Sequence, residues 1–501
     1  MKVSHSAKLN STKSLLEIPI LGLILVLAAY LRIINLDGFF IYDYDEGVYS
    51  ESARMIVKGY LPHVDFFSSQ PPHFILCIAA FFGLFGMNIV VARLFIVVAS
   101  LIAIASAYLI ARRIEDFKAG LVAAFVLSIS PYFLRQSRSV MSEVPSISLA
   151  LLGIWLFFEA FKHKDNRYLL LSGLVVCLGA MMKLNVGLVA PIILVLLIAR
   201  KDFSGAAFFI LGCIIPLPIL PLFGLGKVID QMVIFHFFKP ATGTWQDHWA
   251  RIHEMLAMDM GLTVTAFIGA ALCIVKKRLD SKFIVALTAS FFVFFLYYTA
   301  FFKHQAVILL PLLAIMSGVG LAAPINLGLK MVSKKNDAEK VDKTNEKKLR
   351  KEILAILITA NLIPSVFYCV GATRPSVIKY NLAVISPRDN PLFLDAVGII
   401  RAYADSSDYI ITDQQILAFF ADRDVPPDLV DTSYMRISSG YLDSETVIKL
   451  AEEYRVKVIV LWTNRLKRLT VFADYVKLNF QLVKDYGGGR EIYVRYCWLS
   501  R

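Results

Sequence analysis

Long apolar runs separated by short polar connectors occupy the chain up to about residue 372, after which the pattern changes to short alternating segments. The runs lie near 15–34, 89–111, 118–134, 141–161, 168–183, 184–200, 203–224, 260–275, 283–302, 304–324 and 353–372. Each approaches the roughly 20 apolar residues needed to cross a bilayer, so the pattern predicts about eleven transmembrane helices. The run 73–86 is shorter, about fourteen residues, and is flanked by Pro71-Pro72 and Gly86; it predicts an interfacial helix instead of a crossing. In the tail, β-rich runs at Asp408 to Thr412 and Val456 to Leu461 alternate with helical patterns near 391–404, 444–454 and 466–479. The expected fold class is therefore a polytopic α-helical membrane domain over 1–372 followed by a soluble α/β domain over 373–501.

Composition agrees, since 57% hydrophobic residues and a mean hydropathy of +0.64 exceed what soluble domains of this size can bury. The net charge of +13 invites a nucleic-acid reading, but the basic residues form clusters between apolar runs and no continuous stripe, which argues against nucleic-acid binding. If 73–86 does not cross, the clusters Arg112-Arg113-Lys118, Lys162-Lys164-Arg167, Arg200-Lys201, Lys276-Lys277-Arg278 and Lys330 to Lys351 all share the side of the N-terminal Lys2, Lys8 and Lys13. By the positive-inside rule that side is cytoplasmic. The first apolar run, without a small-residue cleavage pattern, reads as an uncleaved anchor. The segment 330–352, rich in Lys, Asp and Glu, reads as a solvated cytoplasmic linker, and the loop 35–88 and the tail fall outside. The cysteines show no paired or metal-binding spacing, which leaves redox and zinc-finger chemistry unsupported.

Function is thus sought on the outer face. The first outer loop reads Tyr42-Asp43-Tyr44-Asp45-Glu46-Gly47, and three carboxylates beside a membrane are costly unless solvated, paired or used. They suit the N-terminus of an amphipathic helix over Glu46 to Lys58 equally well. The outer ends of later helices bring Arg135, Arg138, Glu143, Lys183, Lys303 and His304, each individually explicable as an anchor at the interface. Together they predict an outward cavity holding an anionic group beside a carboxylate. That combination suits transfer from a phosphate-linked donor, with cations stabilising the leaving phosphate and a carboxylate taking the acceptor proton. Asp43, Asp45, Glu46 and His63 offer ligands for a divalent cation, although the carboxylates are equally explicable without one. A transporter, such as a lipid-linked sugar flippase, is the competing class; it predicts repeated halves and mid-bilayer ionisable groups, neither of which is evident.

At these residues the sequence resembles the C-type (GT-C) glycosyltransferases, in the branch of dolichyl-phosphate-mannose protein mannosyltransferases and lipid A aminoarabinose transferases. The matching stretches are Tyr44 to Tyr49, Gly59 to Phe67 with Asp65, Gln70-Pro71-Pro72, Arg138 to Glu143, Met181-Met182-Lys183, and Lys303-His304 ahead of Leu310-Pro311. The resemblance implies a polyprenyl-phosphate-linked sugar donor, a lipid, glycan or protein acceptor and inversion at the sugar. It implies Asp45 as catalytic carboxylate with Glu46 beside it. Arg138, Lys183, Lys303 and His304 are implied for the lipid-phosphate pocket, with Gln70, Asp65 and Glu143 as further binding candidates. Relatives usually carry Lys before Pro-Pro; Gln70 donates hydrogen bonds without a positive charge, so another cation must compensate or the donor head group differs. The tail shows no nucleotide-binding motif, and the expectation is that it positions or selects the acceptor without a catalytic carboxylate.

Overall fold

The computed structural model describes residues 3–38, 43–276, 278–336, 364–387 and 389–496. Six helices among them are long and apolar enough to cross a bilayer: Leu16–Ile33, Ile89–Ile114, Glu143–His163, Phe203–Phe223, Leu279–Tyr297 and Lys303–Ala323. Shorter apolar helices are His73–Phe85, Phe117–Ile129, Asn166–Met182 and Leu184–Ala199. The 13 residues of His73–Phe85 extend only about 20 Å at 1.5 Å per residue, short of the hydrocarbon core. The predicted run 118–134 is broken, because Pro131 begins a new helix, Pro131–Gln136, where it has no N–H to continue the preceding one. Most of the predicted linker 330–352 and the start of the predicted span 353–372 lie outside the described residues.

The stretch before the run at 260 also departs from the expected pattern. Residues 225–259, expected as a loop, contain the helix Trp245–Met258, started by a capping box between Thr244 and Asp247 and buried through Ile252, Met255 and Leu256. Its apolar stripe spans barely two turns, too short a period to stand out against polar neighbours. It meets Met260–Val275 at 100°, so the apolar run at 260 begins at a sharp bend.

The tail forms a four-stranded sheet of order β1-β2-β4-β3, from β1 (Ile410–Thr412), β2 (Val458–Leu461), β3 (Phe480–Asp485) and β4 (Glu491–Arg495). β1 and β2 are parallel, and β4 is antiparallel to both its neighbours. Helices Pro391–Tyr403, Ser444–Glu453 and Thr470–Asn479 stand where periodicity places them. Gly487, Gly488 and Gly489 turn the β3–β4 hairpin with φ of 76°, 64° and 82°, values that glycine adopts without steric cost.

The helix Tyr44–Val57 joins the two parts because its three faces have three partners. At 100° per residue, Asp45, Val48, Tyr49 and Ser52 form one stripe, and all four line the main cavity. Glu46, Ser50 and Ala53 form a second, fully buried stripe, with Glu46 against Arg93 of Ile89–Ile114. Gly47, Glu51 and Arg54 form the third, against the tail. A Cβ at Gly47 would stand 2.3 Å from the backbone nitrogen of Ile416, so only glycine lets the helix Gln415–Ala421 approach this closely. Arg54, itself paired with Glu51 at 3.4 Å, also pairs with Asp422 and Asp424 of the tail, and Lys58 pairs with Asp424.

Candidate active site

The acidic loop begins with a capping interaction. Asp43 is the N-cap of Tyr44–Val57 and accepts from the Asp45 N–H at 3.4 Å, which satisfies one of the orphan donors of a helix start. Its other oxygen faces His304 Nδ1 at 3.1 Å. Burial pushes the Asp43 pKa up, but the His304 charge and hydrogen bond outweigh it and hold the group near 2. Asp45, two residues beyond the cap, points into a cavity of about 400 Å³ and keeps 31% of its side chain exposed. Enclosure there and the neighbouring Asp43 charge raise its pKa to about 6, against the pull of His304 and Lys183. Two aspartates at one helix start therefore differ in character through what surrounds each carboxyl.

Glu46 turns away from the cavity. Arg93 Nε and Nη2 hold its two oxygens at 2.9 and 3.1 Å, and the Val140 N–H donates to it at 3.1 Å. Both side chains of the pair are fully buried. Glu46, expected beside the chemistry, does not line the cavity; its two oxygens join the first outer loop to Ile89–Ile114.

From the remaining predicted residues, Gln70, Lys183, Lys303 and His304 converge on the cavity, as does Arg135. Lys183 is drawn toward Glu143 at 3.0 Å and donates to the Tyr49 hydroxyl at 3.5 Å, so Glu143 sits behind the cavity wall as the counter-ion of a wall residue. Lys303 pairs with Glu254. His304 Nε2 stands 3.9 Å from Asp45 and 3.7 Å from Glu143.

Arg138, Asp65 and His63 are not brought there. Arg138 is fully buried and donates to the carbonyls of Leu31, Arg32, Ile34 and Asn35 at 2.7 to 3.1 Å. These are orphan acceptors at the end of the first helix, where a cation also complements the helix dipole. Asp65 closes a tight turn by accepting from the Leu61 N–H at 2.7 Å. His63, in the same turn at φ 64°, is held by Gln231 at 3.1 Å. A cluster able to hold a metal is instead Asp43, Asp45 and His304, whose ligand atoms lie within 4.8 Å of one another. One imidazole and two carboxylates form a donor set that a divalent cation accepts, and the Asp43–His304 hydrogen bond satisfies two of the three without one.

Two cavity cations escaped sequence reasoning. Lys239, following the helix Phe235–Phe238, lies 4.8 Å over the Phe235 ring; burial and the nearby Lys183 charge lower its pKa to about 8. Arg465 comes from the tail and stacks 3.8 Å over the Tyr44 ring. Each is a single cation in a segment without a recognisable motif, and the one available signal was that both fall on the predicted outer side.

The family model for dolichyl-phosphate-mannose-protein mannosyltransferase matches residues 69–223, from Gln70-Pro71-Pro72 through the helix ending at Phe223. Among solved structures, the chain is similar to ArnT from Cupriavidus metallidurans bound to undecaprenyl phosphate, with a TM-score of 0.65 and 14% identity, covering 95% of this chain and 97% of that one. The archaeal oligosaccharyltransferase AglB from Archaeoglobus fulgidus, in complex with an inhibitory peptide and a dolichol-phosphate, superposes with a TM-score of 0.58 at 12% identity, over 97% of this chain and 75% of that one. No curated protein matches the sequence significantly. At these identities the solved structures speak to the fold, a helical membrane domain carrying a C-terminal domain with a sheet. Gln70, Arg135 and Lys183 of the cavity wall fall inside the segment that the family model matches, and the fold is the one these membrane proteins share.

Proposed function

We propose that the protein moves one sugar from a polyprenyl-phosphate carrier to a hydroxyl or similar nucleophile of a lipid, glycan or protein at the outer face of the cell membrane, with Asp45 as general base. The observation that carries this reading is the convergence of Asp45 with Lys183, Lys239 and Lys303 on one cavity at the helix ends. The acceptor oxygen attacks the anomeric carbon while its proton passes to the Asp45 carboxylate. The bond from that carbon to the phosphate oxygen breaks, and its electron pair leaves with the carrier phosphate, where cations stabilise the developing charge. Attack from the side opposite the leaving phosphate inverts the sugar.

The cations are not equivalent. Lys183 and Lys303 are balanced by Glu143 and Glu254, whereas Lys239 has no carboxylate within ion-pair distance among the described residues. Lys239 therefore has charge to give to a phosphate, and it supplies what Gln70 lacks. Lys239→Gln is expected to weaken binding of undecaprenyl phosphate to the purified protein about tenfold or more, the size of a lost charge-assisted hydrogen bond, and to slow sugar transfer. Carrier affinity within twofold of the parent, as an outcome, removes Lys239 from the phosphate site.

The outer-face assignment rests on the common side of the basic clusters. In a background with Cys369 and Cys497 replaced by Ser, Lys449→Cys in the tail should react with a membrane-impermeant maleimide on intact cells, and Lys164→Cys should react only after permeabilisation. Both positions are exposed. The reverse pattern inverts the topology.

A further inference from the structure

One of the turns by which the tail reaches the cavity is built around a buried carboxylate that has no cationic partner among the described residues. Asp413, immediately after β1, is fully buried. Its Oδ1 accepts from the Trp462 and Thr463 N–H groups at 2.6 and 2.9 Å, and its Oδ2 from those of Arg465 and Leu466 at 2.8 and 3.4 Å. The Thr463 hydroxyl donates to the Asp413 carbonyl at 2.9 Å. Burying a carboxylate is costly unless its lone pairs are filled; here the backbone of residues 462–466 fills them, so the turn has one arrangement. That turn follows β2, parallel to β1, and ligands of α/β sheets gather at the carboxyl ends of parallel strands.

What the turn presents is Arg465. Its guanidinium lies over the Tyr44 ring, one residue from Asp45, and lines both the main cavity and a neighbouring one that also contains Asp43, Tyr434 and Arg468. Arg465 Nη1 is buried without a hydrogen-bond partner among the described residues. An unsatisfied guanidinium N–H costs free energy unless an acceptor arrives, and the planar fork of arginine matches oxyanions in particular. Asp431, also at the cavity wall, is already engaged by the Ser433 N–H at 2.8 Å.

We propose that Arg465 is a substrate-binding residue that takes a phosphate oxyanion at the junction of the two cavities, and that Asp413 is the positioning residue that delivers it from the tail. The inference rests on the glycosyl-transfer reading for its reaction but not for its ligand chemistry. The oxyanion belongs either to the carrier phosphate of the donor or to an anionic acceptor, and the two sources separate experimentally. Tyr44 holds the guanidinium from below by cation–π attraction and is itself fixed, its hydroxyl receiving the Thr432 N–H at 3.1 Å.

The experiment uses the purified full chain and two readouts: equilibrium binding of undecaprenyl phosphate, which needs no turnover, and the acceptor concentration dependence of sugar transfer. Arg465→Ala should weaken carrier binding by about tenfold or more if the oxyanion is the carrier's, or raise the acceptor KM by a similar factor with carrier binding intact if it is the acceptor's. Arg465→Lys, which keeps the charge but not the fork, should recover part of the loss. Asp413→Asn should shift the same constant as Arg465→Ala and add little in the double variant, whereas a merely stabilising Asp413 would lower the melting temperature and leave that constant unmoved. Should Asp413→Asn fail to fold, the Arg465 pair decides alone. If Arg465→Ala, folded and with unchanged melting temperature, leaves carrier binding within twofold and moves no acceptor KM, the proposal is overturned. A parent protein that binds carrier but transfers no sugar would sink the glycosyl-transfer reading, and the carrier-binding response of Arg465→Ala would then decide by itself whether Arg465 takes the oxyanion.

Discussion

Asp45→Asn is expected to lower sugar transfer about a hundredfold or more, the size typical of a lost general base, while folding and binding of undecaprenyl phosphate stay near the parent. Asn preserves the size and the cavity position but accepts no proton near neutral pH. The neighbouring substitutions separate the roles. Asp43→Asn loses charge on the His304 side of the cap and should cost stability more than turnover, because Asp43 is already committed to the helix start. The pH profile gives an independent reading. With a pKa raised to about 6 by enclosure and by Asp43, the basic form of Asp45 is lost as pH falls through that value. Parental kcat/KM should therefore rise about tenfold per unit between pH 4.5 and 5.5 and level off above about 6.5, as for a single essential base. A rate for Asp45→Asn within tenfold of the parent, measured on folded protein, removes the base assignment.

Breaking the buried pair beneath the loop should have the second large effect, on stability instead of chemistry. Glu46→Ala leaves Arg93 without its carboxylate in a fully buried site, and removal of one partner from such a pair costs about 3–5 kcal/mol. Arg93→Ala should cost as much or more, because Arg93 also donates to the carbonyls of Leu36 and Gly38 at 2.7 and 3.1 Å. Both variants should show a large fall in melting temperature and folded yield. Glu46→Gln, which retains hydrogen-bonding oxygen and nitrogen, should fold better than Glu46→Ala and turn over sugar at a rate per folded molecule within about tenfold of the parent, less than the loss expected for a missing base. Loss of turnover in Glu46→Gln with an undisturbed fold and carrier binding would instead place Glu46 in the chemistry.

These two results turn on something the linear sequence shows only in part. Helical periodicity separates Asp45 from Glu46 by 100°, but which direction meets solvent and which meets Arg93 depends on a residue 47 positions away. The long spans were legible because a bilayer demands about 20 apolar residues in a row; the break before Pro131 and the bend at Asp259 fall where short elements meet. Arg138 shows why cation position alone misleads. Near the end of a membrane helix, a guanidinium serves orphan carbonyls as readily as phosphate, and only the four carbonyls around it tell the two apart. Lys239 and Arg465 carry no periodic signal, and their place in the cavity comes from a helix end in one case and from the Asp413-centred turn in the other. The role proposed for Asp413 acts through the arginine it positions and calls for no catalytic carboxylate in the tail.

The most direct test follows the transferred sugar itself. The purified full-length protein, reconstituted with a radiolabelled polyprenyl-phosphate sugar and an envelope lipid and glycan extract as acceptor, should move label from carrier to acceptor and release the carrier monophosphate in equal amount, and Asp45→Asn should do neither at a comparable rate. Carrier that binds in the cavity but keeps its sugar through many parental turnover times, or label transferred equally well by Asp45→Asn, would contradict the account.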